Sequence, residues 1–126
     1  MPSPNFCILY VDSPAVSAAF YAGLLGLTPV QASPTFVLFA LDSGVMLGLW
    51  SKPAVEPAAT ALGGGAELAF AVGDAEAVAA MHADWSRRGL TILQAPVRMD
   101  FGETFVAQDP DGHRLRVFAP SASSAP

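Results

Sequence analysis

Two groups of residues in this chain have types and spacings suited to a chemical task. The first is aromatic: Tyr10, Phe36, Trp50, Phe101, Phe105 and Phe118 fall within or beside short apolar runs, with Met46 as an adaptable neighbour. Rings of this kind stack on planar molecules, and such a stack contributes about 0.5–1.5 kcal/mol beyond the area it buries. The second group is a carboxylate and a guanidinium, Glu67 and Arg116, which can pair with each other or hydrogen-bond a ligand carboxylate or ring nitrogen. Each group also has a purely structural reading. Trp50 and Met46 suit a core as well as a pocket wall, Phe105 is the ordinary core residue of its segment, and Phe101 is the better candidate for a lid. Glu67 and Arg116 could simply satisfy two partly buried charges. Covalent catalysis has no comparable candidates. Ser13 reads as a helix cap, Ser43 and Ser51 lie in turns, Cys7 alternates to the opposite strand face, and His82 and His113 fall on a helix surface and in a turn.

The elements that must position these residues come in two similar sets. An apolar run from residue 6 to 11 is followed by Asp12-Ser13-Pro14, which caps and starts a helix. Val16, Phe20 and Leu24 recur at four-residue spacing until Gly26 supplies a left-handed stop. Strands are predicted at 28–31, 35–41 and 45–50, separated by Ser33-Pro34 and Asp42-Ser43-Gly44. The second set repeats the order: a strand at 67–72, a helix capped by Asp74 with Val78, Met81 and Trp85 as its buried stripe before Gly89, then strands at 91–94, 104–108 and 114–118. Asp109-Pro110-Asp111-Gly112 is the turn before the last strand, and its two acids are turn formers. The expected fold is α+β, a β-α-β-β-β unit over 5–50 and another over 66–119, joined by a Pro, Ala and Gly-rich linker at 51–65 and followed by a tail at 120–126.

Superposing the units pairs Phe6 with Glu67, Gly48 with Arg116 and Trp50 with Phe118. If Phe6 and Glu67 face a cleft together with Gly48 and Arg116, strand alternation turns Ile8, Tyr10, Met46 and Trp50 toward it from the first unit, and Ala69, Ala71, Arg114 and Phe118 from the second. Each unit alone leaves one sheet face uncovered, so the two halves, or equivalent halves of two chains, are expected to combine into a curved sheet with a cleft, in a homodimer.

Composition narrows the partners. The 126 residues are 52% hydrophobic and carry a formal charge of −5, which suits one globular domain and not a disordered chain. An acidic balance lacks the basic footprint for phosphates, so neither nucleic acid nor an anionic membrane surface is an expected partner. No apolar run approaches the ~20 residues of a membrane span, and the opening residues lack a basic leader. One cysteine cannot form an internal disulfide, which fits a reducing cytoplasm.

Val11-Asp12, the stretch Phe20-Tyr21-Ala22-Gly23-Leu24-Leu25-Gly26-Leu27 and the Asp109-Pro110-Asp111-Gly112 turn together resemble the vicinal oxygen chelate superfamily of glyoxalases, extradiol dioxygenases and antibiotic-resistance proteins, from Phe6 to Phe118. The resemblance implies metal ligands on the first and last strands of each unit, where this chain has Phe6, Gly48, Glu67 and Arg116. Only Glu67 could coordinate, and arginine would repel a cation, so no metal or other cofactor is expected. Leu9-Tyr10-Val11, Leu49-Trp50-Ser51, Phe101-Gly102-Glu103-Thr104-Phe105 and Asp109-Pro110-Asp111-Gly112-His113 are similar to the metal-free phenazine-resistance branch. That branch implies binding and sequestration of a small planar aromatic compound, with Tyr10, Phe36, Met46, Trp50, Glu67, Phe101, Phe105, Arg116 and Phe118 as ligand-binding candidates. The alternatives are a metal-dependent lyase or dioxygenase of the same fold, and an accessory module that passes its ligand to a transporter.

Overall fold

The computed structural model describes residues 2–61 and 63–121. The chain divides into two compact units, Met1–Leu62 and Gly63–Pro126. In the first, strand β1 (Phe6–Val11) leads to helix α1 (Pro14–Leu25) and then to β2 (Gln31–Ala32), β3 (Phe36–Ala40) and β4 (Met46–Ser51). In the second, β5 (Glu67–Ala71) leads to α2 (Ala75–Arg87), β6 (Thr91–Met99), β7 (Gly102–Gln108) and β8 (Arg114–Pro120). Each unit is a four-stranded mixed sheet, ordered β1-β4-β3-β2 and β5-β8-β7-β6. In both, the first and last strands run parallel and the other pairings are antiparallel.

The helix ends follow the local chemistry of the sequence. Ser13 Oγ accepts the Val16 amide at 3.2 Å, Pro14 takes the first turn, and Gly26 ends α1 in the left-handed region at φ 66°. Asp74 Oδ1 accepts the Ala77 amide at 2.8 Å to open α2. Within each unit the helix packs on one sheet face, and alternate strand residues beneath it are buried: Val11, Val37, Phe39, Leu47 and Leu49 in the first, Phe105, Ala107, Leu115 and Val117 in the second.

Several sequence expectations need correction. The buried stripe of α1 is Pro14, Ser17 and Tyr21, and Val16 is 57% exposed. Nearly every side chain of α1 is small or apolar, so apolar spacing cannot single out the inward face. In α2, where charges mark the outer face, Val78 and Trp85 are buried as expected and Met81 is half-buried. Strand β2 has only two residues, while β6 has nine and runs through Pro96. Proline is compatible with β6 because that strand is at a sheet edge and its register shifts on either side of Gln94. The segment read as a linker begins inside β4 at Ser51, makes a single 3-10 turn at Lys52–Ala54 and buries Val55. Leu62, within that segment, and the tail from 122 to 126 lie outside the described residues, and the tail's expected first residue, Pro120, is the last of β8.

Candidate functional site

The sheet face opposite each helix is where the candidate residues gather, and each unit builds its own. In the first unit, Phe6, Ile8 and Tyr10 project from β1 and are 54%, 43% and 38% exposed. Tyr10 is in register with Trp50 and Trp50 with Phe36, so three rings lie side by side across three strands. Tyr10 and Phe36 both meet Trp50 edge-on, with centroids 6.3 and 6.4 Å away and interplanar angles of 80° and 85°. The three rings therefore brace one another in the arrangement their quadrupoles favour. Phe36 also depends on the absence of a side chain at Gly48: a methyl group there would stand 2.8 Å from the Phe36 Cζ. Half-buried Met46 completes the row on β4.

On the second unit the same face is polar at its centre. Arg116 Nε donates to Glu67 Oε1 at 2.6 Å, a short charge-assisted contact between side chains that are 15% and 34% exposed. Glu67 is in register with Arg114 and Ala69 with Arg116, so the ion pair runs diagonally across the parallel pair of strands. Arg116 Nη1 donates to Thr104 Oγ1 at 3.1 Å, and that hydroxyl donates in turn to the Val117 carbonyl at 2.9 Å. Because its own proton is committed to Val117, buried Thr104 presents a lone pair to the arginine. The Phe101 ring covers the guanidinium at 5.7 Å and meets Phe118 edge-on at 6.0 Å. Arg116 is thus held from three sides by side chains of its own unit.

Of the nine candidates, Tyr10, Phe36, Met46 and Trp50 come together in the first unit, and Glu67, Phe101, Arg116 and Phe118 in the second. Phe118 is only 8% exposed and lies against Phe101, so Phe101 caps this unit's own phenylalanine. Phe105 is a correction. Its side chain is fully buried on the helix side, between His82 and Trp85 at centroid distances of 5.3 Å each, because register with Val117 assigns it to the face that α2 covers. The same contact corrects His82, which is half-buried against Phe105 and not a plain surface residue. Thr104 was missed; the signal was a lone hydroxyl residue one step before Phe105, on the opposite parity from it.

Other chemistry-bearing residues have local roles. Asp109 Oδ1 accepts the amides of Asp111 and His113 at 2.9 Å each, which closes the turn as expected. Burial raises the pKa of the Cys7 thiol above its ordinary value, which disfavours the thiolate at neutral pH. The four positions for which the resemblance implies metal ligands do not fit a divalent cation. Phe6 has no donor, the space above Gly48 is taken by the Phe36 ring, Arg116 is a permanent cation, and one oxygen of Glu67 already accepts from it.

Comparison with known proteins agrees with this architecture. The family model of the glyoxalase/bleomycin resistance protein/dioxygenase superfamily matches residues 3–117. The phenazine antibiotic resistance protein EhpR of Enterobacter agglomerans is 28% identical over 118 residues, 91% of this chain and 90% of that protein. A protein from Agrobacterium tumefaciens with a solution NMR structure is 52% identical, with a TM-score of 0.89 over 97% of this chain and all of the other. A glyoxalase/bleomycin resistance protein/dioxygenase from Nocardioides has the same fold at 20% identity, with a TM-score of 0.84 over all of this chain and 88% of the other.

Proposed function

The chain belongs to the glyoxalase/bleomycin resistance protein/dioxygenase superfamily, and from that premise we propose that it binds a small planar aromatic compound without a metal and protects the cell by sequestering it. The observation that carries this reading is the braced row of Tyr10, Trp50 and Phe36, an aromatic surface on the sheet face away from the helix. Ordered rings lose little entropy when a flat ligand is laid against them, which favours binding without rearrangement. Similarity to the phenazine resistance protein supports a planar heteroaromatic as the ligand class. The ill-matched donor set at the superfamily's metal positions favours binding over the lyase or dioxygenase chemistry found on this fold. We place the protein in the cytoplasm as a homodimer; no helix among the described residues is long and apolar enough to cross a membrane.

Tryptophan fluorescence provides the test. Chelator-treated protein is titrated with phenazines and other planar antibiotics beside Trp50→Leu, which isolates the signal of core Trp85. Saturable quenching is expected, weakened about tenfold or more in the variant as the stack and its buried area are lost. A response that returns only on adding a divalent metal would overturn the proposal in favour of an enzyme. Silence with and without metal would overturn it as well, leaving the family assignment alone.

A further inference from the structure

The two units differ in where their charges lie. Helix α1 and strands β1 to β4 contain no charged residue, whereas β5, α2, β6, β7 and β8 each contain at least one. The charged side chains of the first unit are Asp12, Asp42, Lys52 and Glu56, three acids and one base, all outside its helix α1 and its strands. Lys52, the one base, lies in the 3-10 turn after β4 and is already engaged. The aromatic row of Tyr10, Trp50 and Phe36 therefore belongs to a sheet with no counter-charge for an anion. An anionic group laid on that face would lose water and gain no cation in return.

What the face offers instead is ring surface. Trp50 and Phe36 are half-buried and Tyr10 is exposed. Each edge-on contact occupies one face of one ring, so the two contacts leave most ring faces of the row uncovered by its own members. Those faces are the negative pole of the ring quadrupole, strongest in tryptophan, and they attract a cation within about 6 Å of the centroid. The kind of cation follows from the surroundings. With no carboxylate in the sheet, a compact ammonium is better served by water, whereas a positive charge spread over a flat framework is weakly hydrated and can lie against an indole. The net charge of −5 draws cations toward the chain from a distance as well.

We propose that the first unit's aromatic face selects planar aromatic cations, of the N-alkylated pyridinium or acridinium class, over uncharged rings of the same shape. In this arrangement Trp50 is the ring that senses the charge, and Tyr10 and Phe36 hold it in place by their edge-on contacts. The proposal rests on the reading above that this row binds planar aromatics, and it adds the sign of the charge they carry. Every residue it invokes belongs to the first unit.

The probes are N-methylacridinium and acridine, nearly equal in shape and differing in charge under mildly alkaline conditions. Both are titrated by calorimetry into the full chain, and into the chain made with mono-, di- and trifluorinated tryptophan, whose ring faces become progressively less negative. The cation is expected to bind about fivefold tighter than acridine. That gap should persist near 1 M salt, where the pull of distant acids is screened beyond about 3 Å but a contact at van der Waals distance is not. It should narrow step by step with fluorination while acridine's affinity does not fall, which also reports that the fluorinated protein is folded. Trp85, the other tryptophan, is buried in the second unit, so its fluorination bears on both probes alike. Equal affinities, a preference for acridine, a gap that vanishes at high salt or one indifferent to fluorination would overturn the cation selectivity while leaving the aromatic reading in place. Failure of both probes to bind would overturn the two together.

Discussion

In the first sheet Gly48 stands opposite Ile8 and Leu38, and in the second Arg116 stands opposite Ala69 and Val106, at the same place in the same strand order. One step along, Phe36 pairs with Trp50 in the first sheet as Thr104 pairs with Phe118 in the second. The two units have thus exchanged size and polarity between neighbouring strands. Where β4 has no side chain, β3 supplies a phenylalanine ring that fills the space; where β8 has arginine, β7 supplies a threonine hydroxyl that holds it. Close packing explains why the exchange comes in pairs, since a large residue needs a small neighbour and a buried charge needs a lone pair. A single backbone plan thereby yields an aromatic face and a charged one.

The helix-facing sides make a similar exchange, and it offers the largest test. Phe105, buried against Trp85 and His82, has Val37 at its equivalent in β3, while Ala107 has Phe39. The aromatic weight of the second core thus rests on Phe105, one ladder step from where the first core carries Phe39. Phe105→Ala should lower unfolding stability by about 3–5 kcal/mol, read by urea denaturation, through lost transfer energy and the cavity left behind. Ligand affinity of the folded protein should stay the same, because the ring is on the covered side of the sheet. A variant that folds as well as the parent but binds less would return Phe105 to the ligand face and break the comparison.

A smaller effect is expected from the ion pair, which has no counterpart in the first unit. Glu67→Gln keeps an acceptor near Arg116 but removes its counter-charge. Side-chain exposures of 15% and 34% place the pair between a buried and a surface bridge. The expected cost is about 1–2 kcal/mol, below that of breaking a fully buried pair and above that of an exposed one. A change under about 0.3 kcal/mol would put the pair in the class of surface bridges with no measurable worth, and the charged face would lose its structural role.

How much of this could be read from the sequence depends on whether a residue's role is set by neighbours along the chain or across it. The caps Ser13 and Asp74, the turn at Asp109 and the repeat itself depend on local spacing, and the sequence expectation agrees with the structure. The Glu67–Arg116 pair was also legible, because the resemblance implies that both residues occupy metal-ligand positions facing one cleft. The inward face of α1 was not, since a helix of small and apolar residues has no polar side to define it. The side of the sheet taken by Phe105 required the β7–β8 register, which turn chemistry suggests but does not set. Thr104 escaped for a related reason: its value lies in a hydrogen bond to a residue 12 positions away.

Gly48 gives the finest probe of the exchange, since it tests whether the missing side chain is what seats the Phe36 ring. An alanine methyl there would stand 2.8 Å from Phe36 Cζ and 3.0 Å from Cε1, closer than packed carbons tolerate, while Ile8 Cγ1 at 3.4 Å limits retreat on the other side. The backbone gains from the change, because glycine in a strand interior is unfavourable by a fraction of a kcal/mol. The ring must swing, and with it the edge-on contact to Trp50. Gly48→Ala should therefore leave stability within about 1 kcal/mol of the parent while weakening planar aromatic ligands about threefold, measured by tryptophan quenching. Adding Phe36→Leu removes the clash, so the double variant should bind no worse than Phe36→Leu alone, and a cycle over the four proteins isolates the coupling. Strict additivity would mean that the ring and the glycine act separately, and that the first unit's aromatic face does not depend on the size exchange that distinguishes it from the second.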